Sequence, residues 1–277
     1  MTTHQLSTPR AVILTAHVSR HPGSDQGLKR LADEVRQLYP DAPVSVAHIA
    51  SGDFVAAQSV PAPAPAPKEV LVNLIQEGIR QVVVQSLHVI PGREFHEMLV
   101  QIDDACHETG ISIRTSVGDP LLGVGTDIER VADAVFSLVP PERKSDQAVV
   151  LVGHGSSHPG HTRYSDLAAE CARRDELFYI GSLGHGKQDG VMRRSALHEM
   201  LIAKNVSTVW LIPFFSSAGR HAHKDLFGDS PDSWQTQFEK ANIACHPVLT
   251  AALDHPPLAA LWLNHVQNAW RRLDGLV

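Results

Sequence analysis

Cysteine is scarce in this chain. Cys106, Cys171 and Cys245 are the only three among 277 residues, odd in number and far apart. No Cys-x-x-Cys pair occurs, so neither a disulfide framework nor a thiolate zinc site is indicated. A reducing cytoplasm is the compartment this usage predicts. Long apolar runs are lacking too. No stretch reaches 18 apolar residues, so no membrane span is expected. The opening MTTHQLSTPR has no apolar core that would serve as a signal sequence. There is no basic excess: 24 Lys and Arg against 30 Asp and Glu leave a net charge of −6. That balance argues against a general nucleic-acid binder. Neither a Gly-x-Gly-x-x-Gly nor a phosphate-loop motif appears, so nucleotide binding has no support. Residues 153–156 read Gly-x-Gly-Ser, not the Gly-x-Ser-x-Gly of a hydrolase elbow.

What is present is a chain able to fold and rich in one side chain. Hydrophobic residues make up 43% and charged residues 19%, enough to bury a core and too apolar for a disordered tail. Histidine occurs 17 times. It is the common ligand of transition metals and titrates near neutral pH, so metal or proton chemistry is the thing to search for. For most of the 17 a surface role is the competing reading.

Apolar, β-branched runs alternate with helical spacing. The expected strands are 11–17, 44–49, 81–90 and 111–117, then 147–154, 177–183, 207–215 and a short one in ACHPVL. The segments between them, including GVMRRSALHEMLIAKN, read as helices, and PLAALWLNHVQNAWRRL closes the chain as another. Such alternation predicts an α/β fold with parallel sheets flanked by helices. Strands apolar on both faces agree, because they are buried on both sides. PAPAPAP (61–67) suits neither helix nor central strand and is expected to be a stiff extended connection.

The two halves repeat. AVILTAHVSRHPG (11–23) matches AVVLVGHGSSHPG (148–160), and PGREFH (91–96) matches AGRHAH (218–223), in the same order. Two similar lobes are predicted, 1–142 and 143–277, with the closing helix free to pack on the first. In open parallel sheets ligands bind beyond the carboxyl ends of the strands. His17, Glu94, His154 and His221 all follow such ends, so two facing lobes would aim them into one cleft, where pockets commonly form.

Each candidate carries an alternative. His154, between Gly153 and Gly155, is either exposed at the site or a turn residue bonded to a carbonyl. His221 and His223 point in different directions at a helix start, and His221 is favoured because it matches Glu94 in the repeat. Glu94 is either a cleft carboxylate or a first-turn acid held by the helix dipole. Arg93 and Arg220 suit an anionic ligand or a surface ion pair. His88, inside an apolar run, reads as a core histidine or one supporting the site. His17 and His185 stand at strand ends and could join it.

These segments together resemble a known family. QSLHVIPGREF, VGHGSSHPG and above all PFFSSAGRHAHKDLFGDSPDSWQTQFEKANI resemble the class II tetrapyrrole chelatases, most closely the anaerobic sirohydrochlorin cobaltochelatases of cobalamin biosynthesis. The resemblance runs through most of the chain and implies a chelatase-like fold of two α/β lobes with the cleft between them. It implies insertion of Co²⁺ into sirohydrochlorin, the metal being a substrate and no tightly bound cofactor being needed. The partners it implies are a tetrapyrrole and a divalent metal, with a homo-oligomer as a further expectation. It assigns the metal to His154 and His221, and proton acceptance or metal steering to Glu94. The family has a Glu after the strand corresponding to LFYIGSL, where this chain has Gly184, and His185 is the expected substitute ligand. Arg20, Arg93 and Arg220, with His17 and His88, are expected to hold the substrate. Two alternatives stand beside this: a diverged chelatase fold that binds metal or tetrapyrrole without insertion, or one that inserts Fe²⁺ or Ni²⁺.

Overall fold

A computed structural model describes residues 8–17, 21–49, 65–123, 127–184 and 190–276. Arg20, His185 and residues 61–64 of the proline-rich segment lie outside them. The first sheet holds β1 (Arg10–His17), β2 (Val44–Ile49), β3 (Gln81–Ser86) and β4 (Arg114–Gly118) in the order β2-β1-β3-β4, all parallel. The second holds β5 (Ala148–Gly153), β6 (Phe178–Ser182), β7 (Val191–Met192), β8 (Thr208–Pro213) and β9 (Ala244–Pro247) in the order β7-β6-β5-β8-β9, again all parallel. Apart from the edge strand β7, the two orders are the same among the described residues. β1 corresponds to β5 and β3 to β8, which agrees with the repeat in the sequence.

Helices α1 (Gln26–Leu38), α2 (Pro67–Gln76), α3 (Arg93–Thr109) and α4 (Asp127–Phe136) belong to the first half. α5 (Thr162–Arg174), α6 (Arg194–Ala203), α7 (Trp234–Lys240) and α8 (Pro256–Leu273) belong to the second. Their sequence signals are local. α1 buries Leu31, Ala32 and Val35 at helical spacing. α3 stops at Gly110, whose left-handed φ of 61° closes the helix without steric cost. α7 starts at Ser233, whose hydroxyl accepts the Thr236 amide. None of the described helices is long and apolar enough to cross a membrane.

Three local expectations are corrected. The strand foreseen over 81–90 ends at Ser86. Beyond it the carbonyls of His88 and Val89 accept the amides of Leu121 and Leu122, so the chain turns instead of extending the sheet. The helix foreseen over 190–205 is a short strand followed by a helix: Val191 pairs with Ile180, Arg193 is extended, and α6 begins at Arg194. In the proline-rich segment Ala66 is extended and the Pro65 carbonyl accepts the His48 amide, but Pro67 opens α2. Its missing N–H is harmless in a first helical turn.

The apolar core runs through both halves. Val12, Leu14 and Val83 of the first sheet share one buried cluster with Val149, Leu151 and Ile180 of the second. The closing helix α8 belongs to that cluster through Leu258, Trp262 and Val266, and burial of Leu258 or Val266 contributes roughly 1.5–3 kcal/mol each. It returns to the first sheet: His265 bonds the Asp119 carbonyl, Arg272 the Val117 carbonyl, and Arg114 the Leu273 carbonyl. Gly160 sets a second close approach between halves. A Cβ there would lie 2.1 Å from the Pro91 carbonyl oxygen.

Candidate active site

Both sheets reverse strand order beside their first strand, and the crevice at that point opens at the carboxyl ends. His17 ends β1, His88 lies two residues past β3, and His154 follows β5 directly. His221 opens a π-helical turn, His221–Leu226, beyond β8. The four imidazoles form one continuous group. His17 meets His88 edge to face at 4.8 Å between ring centres, and meets His154 across the halves at 6.0 Å. His154 in turn meets His221 at 4.8 Å with the rings nearly perpendicular.

Each ring is held differently. Gly153 places His154 closely, since a Cβ at Gly153 would lie 2.6 Å from the Tyr164 ring and hydroxyl. Gly155 then turns the chain with φ of 74°, a conformation open to glycine. Phe215 packs against the His154 ring at 4.3 Å. His221 Nδ1 is 2.5 Å from the Asp225 carboxylate, one turn on. With the carboxylate accepting, Nδ1 carries a proton, so Nε2 is the nitrogen left to bind a metal in the neutral ring. His88 is buried, with Nδ1 2.8 Å from the Ser86 hydroxyl and Nε2 without a hydrogen-bond partner among the described residues.

Burial also sets the protonation state. Desolvation holds His154 well below the ordinary histidine range, and the neighbouring His17 and His221 push it the same way. His88 is held well below that range too, by burial first and then by His17 and His154. His17 is lowered by burial, opposed by the Glu94 carboxylate, which favours its charged form. Burial pushes the Tyr164 phenol up, against a hydrogen bond from the His154 backbone. Neutral imidazoles are the form that binds a metal.

A cavity of about 760 Å³ opens beside this group, within the ~300–1,000 Å³ common for ligand clefts. His154, His221 and Asp225 line it, as do Gly184 and Trp234. So do Arg193 and Arg194, which follow β7 directly. Reading residues 190–205 as one helix hid these two arginines. As residues after a strand end they obey the same rule that marks the histidines. Asp225 was also missed; its signal is the four-residue spacing from His221. Arg93 and Arg220 are exposed and are not among the lining residues. His223 turns away and stacks on His21 at 3.6 Å.

Two imidazoles that share a metal at ~2.1 Å per nitrogen have ring centres roughly 5 Å apart. The 4.8 Å of His154 and His221 fits that separation. Among the described residues no three His, Cys, Asp or Glu side chains converge enough to enclose an ion. The pair by itself leaves coordination positions of such a metal open to other ligands.

Fold and site together define a two-lobed α/β protein with an imidazole-lined cleft at its strand ends. Comparison with known proteins makes this specific. The family model described as cobalt chelatase (CbiK) matches residues 10–271, and the chain belongs to that family. It is 32% identical over 274 residues to the sirohydrochlorin cobaltochelatase CbiKC of Nitratidesulfovibrio vulgaris, covering 98% of this chain and 94% of that one. It is 27% identical over 203 residues to the sirohydrochlorin cobaltochelatase of Salmonella typhimurium, covering 73% and 74%. Among solved structures, SirB from Bacillus subtilis with Fe³⁺ shares the fold at a TM-score of 0.65 and 17% identity, covering 96% of this chain and 98% of that one.

Proposed function

We propose that this chain is a sirohydrochlorin cobaltochelatase, inserting Co²⁺ into sirohydrochlorin in anaerobic cobalamin biosynthesis. The observation that carries the site assignment is the His154–His221 pair, 4.8 Å apart at the wall of the cleft, with Asp225 fixing the His221 tautomer. The relatives' names support the reaction and the metal.

In this reading Co²⁺ binds to the neutral nitrogens of His154 and His221 and keeps its remaining positions for water. Imidazole suits divalent first-row metals without binding them irreversibly. The macrocycle lies in the cleft with its four nitrogens toward the two histidines. Metal–nitrogen bonds to the macrocycle form as the imidazole bonds break. Two pyrrole N–H protons leave in the exchange, so the charge balances. Glu94 is the acceptor, its carboxylate on the side of the first sheet and close enough to oppose the desolvation of His17. His88, buried behind His17 and His154, positions these rings. His185 is retained as a further metal ligand beside Gly184, and Arg20 as a substrate contact, on the resemblance alone.

The lobe boundary near residues 142 and 143 belongs to the same proposal, supported by one parallel sheet on each side. So does a cytoplasmic location, supported by three free cysteines. A homo-oligomer rests on the family resemblance.

The test mixes purified protein with sirohydrochlorin and Co²⁺ without oxygen and follows the absorption change against a protein-free control. A rate equal to the control removes the chelatase assignment. A His154→Ala variant with full activity removes the site assignment and leaves the reaction standing.

A further inference from the structure

The cleft contains two cations that neither the repeat nor the family motifs explain. Arg193 and Arg194 stand at the carboxyl end of β7, the one strand of the second sheet without a counterpart among the described residues of the first. Both line the 760 Å³ cavity that also holds His154 and His221. Arg194 Nη1 donates to the Asp232 carbonyl, which fixes the guanidinium at the cavity edge and leaves most of its five N–H donors unspent. Arg193 is exposed, and among the described residues neither guanidinium forms an ion pair with an acid. The acids facing the same cavity are Asp225 and Asp232. Asp225 is engaged by His221, and Asp232 is exposed, with its carbonyl on Arg194.

A pair of adjacent guanidiniums in a large cleft, not neutralised by local carboxylates, is suited to anionic groups of a ligand. Guanidinium and carboxylate pair through two parallel hydrogen bonds, which fixes orientation as well as strength. We infer that Arg193 and Arg194 hold peripheral carboxylates of the macrocycle and so retain it in the cleft beside His154 and His221. This rests on the tetrapyrrole reading above and names the anchors within it. Arg93 and Arg220 are exposed and do not line this cavity. The extra edge strand β7 then has a use, because it carries the two arginines to the rim beside the metal pair.

The experiment measures equilibrium binding of metal-free sirohydrochlorin by absorbance titration, alongside initial rates of cobalt insertion, for Arg193→Gln, Arg194→Gln and the double variant. Loss of one charged contact is expected to raise Kd and KM about tenfold per arginine. kcat is expected to stay within about twofold, because the contacts are alike in ground and transition states. The salt dependence of Kd should flatten in the double variant. Arg194→Lys keeps the charge but not the fork, and intermediate binding with an unchanged melting temperature separates anchoring from a structural role of the Asp232 contact. Binding of the double variant within twofold of the parent overturns the inference, as does a fall in kcat with KM unchanged. If the parent itself neither binds nor metallates sirohydrochlorin, the functional reading fails. If it does both and the arginine variants match it, only the anchor assignment fails.

Discussion

Gly160→Ala tests how the two halves are held in register. Gly160 sits in the turn that follows the His154 loop, and Pro91 sits between His88 and Glu94. A Cβ at Gly160 would lie 2.1 Å from the Pro91 oxygen and 2.7 Å from its carbonyl carbon. Real Cβ atoms stay beyond 3.0 Å of such neighbours, so the overlap is about 1 Å. Both clashing atoms are backbone, and no rotamer change relieves them. The φ of Gly160 lies outside the left-handed range, so the penalty is steric and not conformational. Overpacking of this kind costs about 1–3 kcal/mol. At about 2 kcal/mol the melting temperature should fall by about 4–8 °C. The halves must part to make room, carrying His17, His88 and Glu94 away from His154 and His221. A displacement near 1 Å can cost about 100-fold in rate. Thermal denaturation and anaerobic cobalt insertion read the two effects separately. Gly92→Ala is the control on the same loop: its nearest neighbours would be 3.6 Å away and its φ of −81° suits alanine. If Gly160→Ala keeps both the melting temperature and kcat/KM of the parent, the close approach of the halves is wrong.

Asp225→Asn should leave the fold intact and lower cobalt insertion about 10–100-fold, because the amide no longer fixes the His221 tautomer; Co²⁺ titration and initial rates check it, and an unchanged rate refutes the orienting role. His161 gives a dependence on pH. It is buried, its Nδ1 accepts the Ser156 amide at 3.1 Å, and burial holds it below the ordinary histidine range. The unfolded chain takes up a proton near pH 6.5 while the native state resists. Stability from this group is therefore complete above pH 6.5 and declines as the pH falls from there toward the lowered native value. Melting temperatures at pH 7.5 and 5.5 should show that decline, and His161→Gln should show less of it; equal slopes would refute the assignment.

Much of the fold was legible because its signals are local. β-branched runs such as AVVLV and helical spacing such as Leu31, Ala32 and Val35 specify element type within a few residues. The repeat of AVILTAH and AVVLVGH implied two similar sheets, and the strand-end rule picked out His17, His154 and His221. Errors arose where a nearby partner decided the backbone. Val191 is strand only because Ile180 lies beside it, and the 81–90 run breaks only because Leu121 and Leu122 arrive at His88 and Val89.

By itself, then, the sequence determined the alternation of elements, the duplication, and the placing of histidines at strand ends. The tertiary structure decided which of them meet. It put His154 4.8 Å from His221, buried His88 behind His17, and turned His223 away onto His21. It also brought Arg193 and Arg194 to the rim and carried α8 back across the first sheet. The physical reason is that periodicity is a property of neighbours along the chain. Distance, desolvation and charge at a site are sums over groups far apart in sequence, and those sums exist only once the two sheets have packed.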